Sequence, residues 1–216
     1  MFRMPSQARH SMIRAAALVA LVSALSVMAG AGCARRRDKP DPGIPYPTGT
    51  TSEKLATFIF KEEGKLYLMT VGVNATRFHD KDPFVPLTVL LVNKTKTPLR
   101  LDRESFTLVD PISGKRYGLA SLDEVRRQGK QDYDRKLMDT EHLLSKVDPF
   151  TRGDANFFPS ASVVIDHVEL HQFMYMLDVL YFPHPEGELL GKTFELHVNS
   201  KGLEQPLFVV FTVPER

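Results

Sequence analysis

The chain has 216 residues, with 28 Lys and Arg, 26 Asp and Glu, one Cys and no Trp. Its formal net charge of +2 creates no strong positive field, so the composition does not point to nucleic acid as a partner. The 14 Phe and 15 Pro combine an aromatic strand former with a turn former, and this combination favours a mainly β fold.

The N-terminal segment is typical of a secretory signal peptide. Arg14 and two earlier Arg residues precede an uncharged run at 15–27, and four small residues then lead into Cys33. This order resembles the signal peptide and lipobox of bacterial lipoproteins, with Gly30 at a position usually taken by Leu. Two alternatives stay open. The apolar stretch is about long enough to span a bilayer uncleaved, and a signal peptide could be cut elsewhere without lipidation.

The lipoprotein resemblance implies removal of residues 1–32 and acylation of Cys33. Because the removed segment carries three Arg and no acid, the mature chain would keep 25 basic and 26 acidic residues. With Cys33 as the only Cys, an exported domain has no internal disulfide, so packing alone must hold it. We expect a bacterial cell-envelope protein, anchored by this lipid and facing the periplasm or the cell surface. Ala34 favours the outer membrane over the inner one.

Residues 33–54 predict a tether between the lipid and a folded domain. Four Pro fall within residues 40–47, and Pro favours extended, open backbone. The three Arg at 35–37 either contact anionic head groups or form a solvated charge run.

Short apolar segments predict strands throughout a domain at 55–216. The segment 66–75 alternates apolar and polar residues, which indicates a half-buried strand. The run FVPLTVLLV at 84–92 is almost wholly apolar and predicts the central strand of the core. Further strands, separated by turns such as 110–114, are predicted at 57–61, 99–102, 106–109, 115–119, 163–165, 168–170, 173–182, 193–198 and 207–213.

Two parts of this strand pattern resemble the telokin-like, immunoglobulin-type domains of bacterial envelope lipoproteins. The first is TVLLVNKTKTPLRLDRESFTLVDPISGKRYGL at 88–119, and the second is YMLDVLYFP at 175–183 followed by 194–198. The resemblance supplies no catalytic residues. Together with the many short strands, it implies a mainly β fold, an immunoglobulin-like antiparallel β-sandwich with a helical insertion at about 121–147.

The insertion predicts two helices. Ser121 and Glu124 form a capping-box pattern for a helix at 121–128, and a second helix is predicted at 132–147. Either the apolar stripe of the second helix packs on the sandwich, or it binds a partner, for which Tyr133, Leu137 and Leu144 are the candidate residues. The stripe consists of Tyr133, Leu137, Thr140, Leu144 and Val147, and the opposite face carries Asp134, Arg135, Asp139 and Lys146.

A candidate metal site follows at 166–176. A strand would place His167, Glu169 and His171 on one face, and Met174 and Met176 come shortly after them. Imidazole and thioether groups suit copper, while imidazole and carboxylate groups suit zinc. The alternative is that polar residues point outward while Met fills the core. The predicted metal ligands are His167, His171, Met174 and Met176.

The sequence contains no G-x-S-x-G, H-E-x-x-H or partnered S-x-x-K motif, so we predict neither an enzyme nor a cofactor. We expect a lipid-anchored cell-envelope protein that acts as a non-catalytic binding or structural module. Its partners would be the membrane and another envelope protein, and not nucleic acid. The alternative is a periplasmic copper- or zinc-handling lipoprotein that uses His167, His171 and the nearby Met residues.

Overall fold

The computed structural model describes residues 52–157 and 165–215. Cys33, the predicted signal peptide, most of the predicted tether and nearly all of the predicted strand at 163–165 lie outside these ranges. Within them, no helix combines the length and the apolar character needed to cross a membrane.

The described residues form a mainly β fold, as predicted, with several antiparallel sheets. Its strands are β1 (Glu53–Ala56), β2 (Ile59–Glu63), β3 (Tyr67–Gly72), β4 (Phe84–Asn93), β5 (Leu99–Asp102), β6 (Phe106–Val109), β7 (Arg116–Gly118), β8 (Arg152–Ala155), β9 (His167–Leu170), β10 (Met174–Pro183), β11 (Thr193–Val198) and β12 (Leu207–Thr212).

A six-stranded sheet has the order β1-β2-β3-β4-β10-β8, a four-stranded sheet the order β12-β11-β6-β7, and β5 pairs with β9. Pairing is antiparallel except between β8 and β10. The apolar strand β4 lies between β3 and β10, which confirms its predicted central position. Its neighbours cover both of its edges, and its side chains are buried on both faces.

Apolar side chains of the two larger sheets meet in one core cluster. Phe60 and Leu91 of the six-stranded sheet belong to it together with Phe106, Leu196 and Phe211 of the four-stranded sheet. The rings of Phe60 and Phe211 have centroids 6.4 Å apart. Strand β11 alternates as predicted, because every second side chain points into this cluster.

Strand β3 is buried on both faces, so the prediction of a half-buried strand is wrong. The helical insertion covers the outer face of the six-stranded sheet. There Leu68, Leu90 and Val92 form a second apolar cluster, and Leu144 and Val147 of the insertion pack against it. The alternation within β3 could not reveal that its outer face is covered, because the covering residues lie more than 60 residues further along the chain.

The insertion contains three short α-helices, α1 (Leu122–Gln128), α2 (Gln131–Lys136) and α3 (Thr140–Leu144). Helix α1 begins at Leu122, one residue after the predicted start, and Ser121 is its N-cap residue, but the Ser121 side chain makes no capping hydrogen bond. It ends at Gly129, whose φ of 68° is a left-handed conformation that glycine adopts without strain. The predicted long second helix is broken, because Asp139 caps α3 by accepting a hydrogen bond from the His142 backbone N–H.

Two strands lie where no strand was predicted. Strand β1 falls partly within the predicted tether, and β8 lies between the predicted helix at 132–147 and the predicted strand at 163–165. Strand β8 gains its backbone partners from β10. The Tyr175 ring lies directly over Gly153, where an added Cβ would come within 2.0 Å of the ring. A larger residue at 153 would therefore require the Tyr175 ring to move.

The six-stranded sheet has two ends, named here the Phe173 end and the Tyr133 end. At the Phe173 end, β2 and β4 finish while β3 and β10 begin. At the Tyr133 end, β3 and β10 finish and β4 begins, and helix α2 lies beside them.

Candidate functional site

A buried polar network ties helix α2 to the sheet at the Tyr133 end. Asp134 is completely buried, and its Oδ1 lies 2.7 Å from His79 Nε2. The Tyr181 hydroxyl of β10 donates to Asp134 Oδ2 over 3.0 Å. The sequence placed Asp134 on the solvent face of a helix, and this prediction is wrong, because the break in the helix turns Asp134 inward.

Charged groups at the surface extend this network. His79 Nδ1 lies 2.9 Å from Asp82 Oδ2, within ion-pair distance but outside hydrogen-bond geometry. Lys130 in turn pairs with Asp82. Burial and the adjacent Asp134 charge raise the pKa of the Tyr181 hydroxyl, so Tyr181 stays protonated and donates. A buried carboxylate with two side-chain partners holds the local structure in one arrangement.

A row of aromatic rings lies on the surface beside the buried network. The Phe78 and Tyr133 rings meet edge to face, with centroids 6.3 Å apart. The Arg77 guanidinium carbon lies 4.5 Å from the centroid of the Phe58 ring and 4.6 Å from that of Phe78. Phe78 is 39% exposed and Tyr133 is 51% exposed. We call Phe58, Arg77, Phe78 and Tyr133 the aromatic row.

The three predicted partner-binding residues occupy different environments. Tyr133 is exposed in the aromatic row. Leu137 is half-buried, and its carbonyl oxygen accepts a hydrogen bond from the Asn74 side chain. Leu144 packs on the outer face of the sheet. Of the two alternatives for the apolar stripe, the structure supports packing on the sheet for Leu144. Tyr133 remains accessible to a partner.

The four predicted metal ligands are divided between surface and core. His167 is exposed on β9 with Glu169 on the same face, and His171 is exposed in the following turn. Met174 is half-buried, while Met176 lies fully buried in the main core cluster. In the part of the chain that the structure describes, no three His, Cys, Asp or Glu residues come together as a metal-binding group. Metal binding here stays a prediction.

An open polar cleft of about 650 Å³ lies beside the β5–β9 ribbon. The hydroxyls that line it already have backbone partners, since the Asp102 N–H donates to Ser105 Oγ and Ser200 Oγ donates to the Arg100 carbonyl. The Arg100 Nε lies 3.3 Å from Asp102 Oδ1. These side chains hold the loops around the cleft, and none of them forms the nucleophile–base pair that covalent catalysis requires.

Sequence reasoning named Tyr133 but missed the rest of the aromatic row, and it missed the buried network of His79, Asp134 and Tyr181. The only local signal was the i, i+3 spacing of His79 and Asp82 in a loop, which is too common to indicate a network. The partners of His79 and Tyr181 are 55 and 47 residues away.

Comparisons with protein-family models, with curated proteins and with solved structures found no match. The resemblance to telokin-like domains therefore stays a prediction.

Proposed function

We propose that this protein is a lipid-anchored cell-envelope protein, acylated at Cys33, that acts as a non-catalytic binding module. The aromatic row at the Tyr133 end binds a second envelope protein. The proposed fold is an immunoglobulin-like sandwich, and the core cluster that both larger sheets share supports this assignment.

The observation that carries the proposal is an exposed ring pair on a rigid support. Phe78 and Tyr133 remain accessible while residues next to each, His79 and Asp134, are buried and bonded to one another. Aromatic and Arg side chains dominate the energetics of protein–protein contacts. A support that is already ordered reduces the entropy lost when these rings are buried by a partner.

The composition of the row suggests the chemistry of the partner. The two exposed rings of Phe78 and Tyr133 favour an apolar or aromatic side chain, and Arg77, stacked on Phe78 and Phe58, adds a positive charge beside them. A partner segment that carries an apolar residue beside a carboxylate would match both features.

The test compares partner capture by tagged variants after brief cross-linking in living cells. Tyr133→Ala with Phe78→Ala should lose a partner that the wild type retains. Ile112→Ala removes an 84% exposed side chain elsewhere and is the matched control. If the double variant and the control both capture the same proteins as the wild type, the aromatic row is not the binding site.

Lipidation needs its own measurement. The mass of the mature protein, with Cys33→Ser for comparison, should show a lipid on the wild type alone. A mature protein that begins elsewhere, or that carries no lipid, would refute the anchor and leave the binding surface to be tested separately.

A further inference from the structure

Three large apolar side chains are exposed together at the Phe173 end. Leu66 is 51% exposed, Phe150 is 88% exposed and Phe173 is 48% exposed. They come from three separate connections: the turn between β2 and β3, the segment before β8, and the turn between β9 and β10. Single exposed apolar residues are ordinary on protein surfaces, but three at one end form a distinct surface.

Backbone hydrogen bonds place these connections side by side. The Lys94 N–H donates to the Leu66 carbonyl over 2.8 Å, and the Phe173 N–H donates to the Asn93 carbonyl over 2.8 Å. The Arg152 N–H then donates to the Phe173 carbonyl over 2.9 Å. Since neighbouring strands are about 4.8 Å apart and the order is β3-β4-β10-β8, the three connections lie within roughly 15 Å of one another along this end.

Phe173 has an unusual backbone conformation. Its φ of 58° is the only positive φ of a non-glycine residue among residues 52–157 and 165–215. A bulky side chain is rarely found in this left-handed region, and such strain is frequently retained at sites with a function. Here the strained residue carries a large ring that remains half exposed to solvent.

The direction of the first strands links this end to the tether. Strand β2 runs toward the Phe173 end and finishes at Glu63, and β1 is antiparallel to it. Strand β1 therefore begins, at Glu53, on the side of the Phe173 end. The 20 residues from Cys33 to Ser52 can span about 60 Å when extended, so an anchored domain can reach a bilayer surface. Lys65 and Lys96 are exposed on two connections at the same end.

We propose that the Phe173 end is a membrane-contact surface. Leu66, Phe150 and Phe173 enter the interface of an anionic bilayer, and Lys65 and Lys96 face lipid phosphates. Apolar side chains flanked by Lys are the chemistry that interfacial binding uses. This contact is additional to the lipid anchor. It rests on the proposed function in one respect only, which is that the anchor orients the Phe173 end toward the membrane in the cell.

The experiment uses the mature chain with Cys33→Ser, which lacks the lipid. Because the chain contains no Trp, Phe150→Trp introduces a single fluorescent reporter. The probe is vesicles of phosphatidylethanolamine and phosphatidylglycerol. We expect the emission to shift to shorter wavelength on adding vesicles, and brominated lipids to quench it. Adding Leu66→Ser and Phe173→Asn should weaken vesicle binding at least about tenfold.

Ile112→Trp is the matched control, because Ile112 is exposed on the turn between β6 and β7. Its emission should not change with vesicles. No shift for Phe150→Trp, or equal shifts for both reporters, would overturn the proposal. A protein partner at this end, in place of lipid, would appear as no vesicle binding at all. Since the mass measurement tests lipidation at Cys33 independently, failure here leaves the anchor and the aromatic row untouched.

Discussion

At the scale of single residues, Asp134 has the largest expected effect on stability. It accepts hydrogen bonds from His79 and Tyr181 in a buried site, so its removal leaves both partners without their acceptor. We expect Asp134→Ala to lower the free energy of unfolding by about 3 kcal/mol, measured by urea denaturation. Asp132→Ala, at an exposed position of the same helix, should change it by less than about 0.5 kcal/mol. Equal effects would show that Asp134 does not hold the network.

Substitution of Phe173 should change the free energy of unfolding in the opposite direction and stabilise the domain. Asn adopts the left-handed conformation more readily than Phe, so Phe173→Asn should raise the free energy of unfolding by about 1 kcal/mol. Phe150→Asn removes a similar ring and should leave it within about 0.5 kcal/mol of the wild type. A destabilised Phe173→Asn variant would mean that the ring contributes packing that outweighs its strain. A more stable variant that binds vesicles poorly would support a functional reason for the strain.

The ionisation of the Asp110 carboxyl should make the free energy of unfolding depend on pH. The Lys192 ammonium, followed by donors from Ser113 and Ile112, holds the pKa of the Asp110 carboxyl well below its usual range, although burial opposes this. A carboxyl with a depressed pKa in the folded state stabilises above its unfolded pKa of about 4, and this contribution is lost as the pH falls further.

We therefore expect Asp110→Asn to be less stable than the wild type at neutral pH and to lose less stability on acidification. Urea denaturation at a series of pH values measures this difference. Asp123→Asn, at an exposed position, should keep the wild-type slope. If the free energy of unfolding of Asp110→Asn depends on pH as steeply as that of the wild type, Asp110 is not the source of this pH dependence.

At the scale of elements, helix α3 seals the outer face of the sheet. Leu143 is 1% exposed, and its side chain lies over Gly72 of β3. We expect Leu143→Ala to lower the free energy of unfolding by about 3 kcal/mol, because little can fill the cavity. Glu141→Ala, at an exposed position of α3, should have an effect below about 0.5 kcal/mol. A small effect of Leu143→Ala would show that α3 is not part of the core.

Elements differ in how well the sequence predicts them, and β4 and α2 show why. The apolar run of β4 and the alternation of β11 reflect burial by whichever strands lie beside them, so local patterns suffice. The inward side of a six-residue helix such as α2 depends on where the helix breaks, and here a capping interaction of Asp139 decides that. The prediction from the apolar stripe therefore placed Asp134 on the solvent face, although the residue is buried.

At the scale of the whole molecule, the two ends of the six-stranded sheet differ in character. The Phe173 end carries exposed apolar side chains, and strand β1 begins on the same side. The Tyr133 end carries the aromatic row on a rigid support. We infer that one end contacts the membrane while the other remains accessible to a protein partner. The sequence singled out Tyr133, which the structure leaves exposed, while the anchor at Cys33 stays a prediction. The arrangement of the two ends could be seen only from the strand order.

The most direct test of this account places a photo-cross-linking amino acid at position 133 or at position 150 in living cells. We predict that position 133 cross-links to one specific envelope protein and that position 150 cross-links to lipid in the protein with Cys33 intact. Cross-linking of position 150 to protein and of position 133 to lipid would contradict the orientation. Identical products from both positions would contradict a division of function between the two ends.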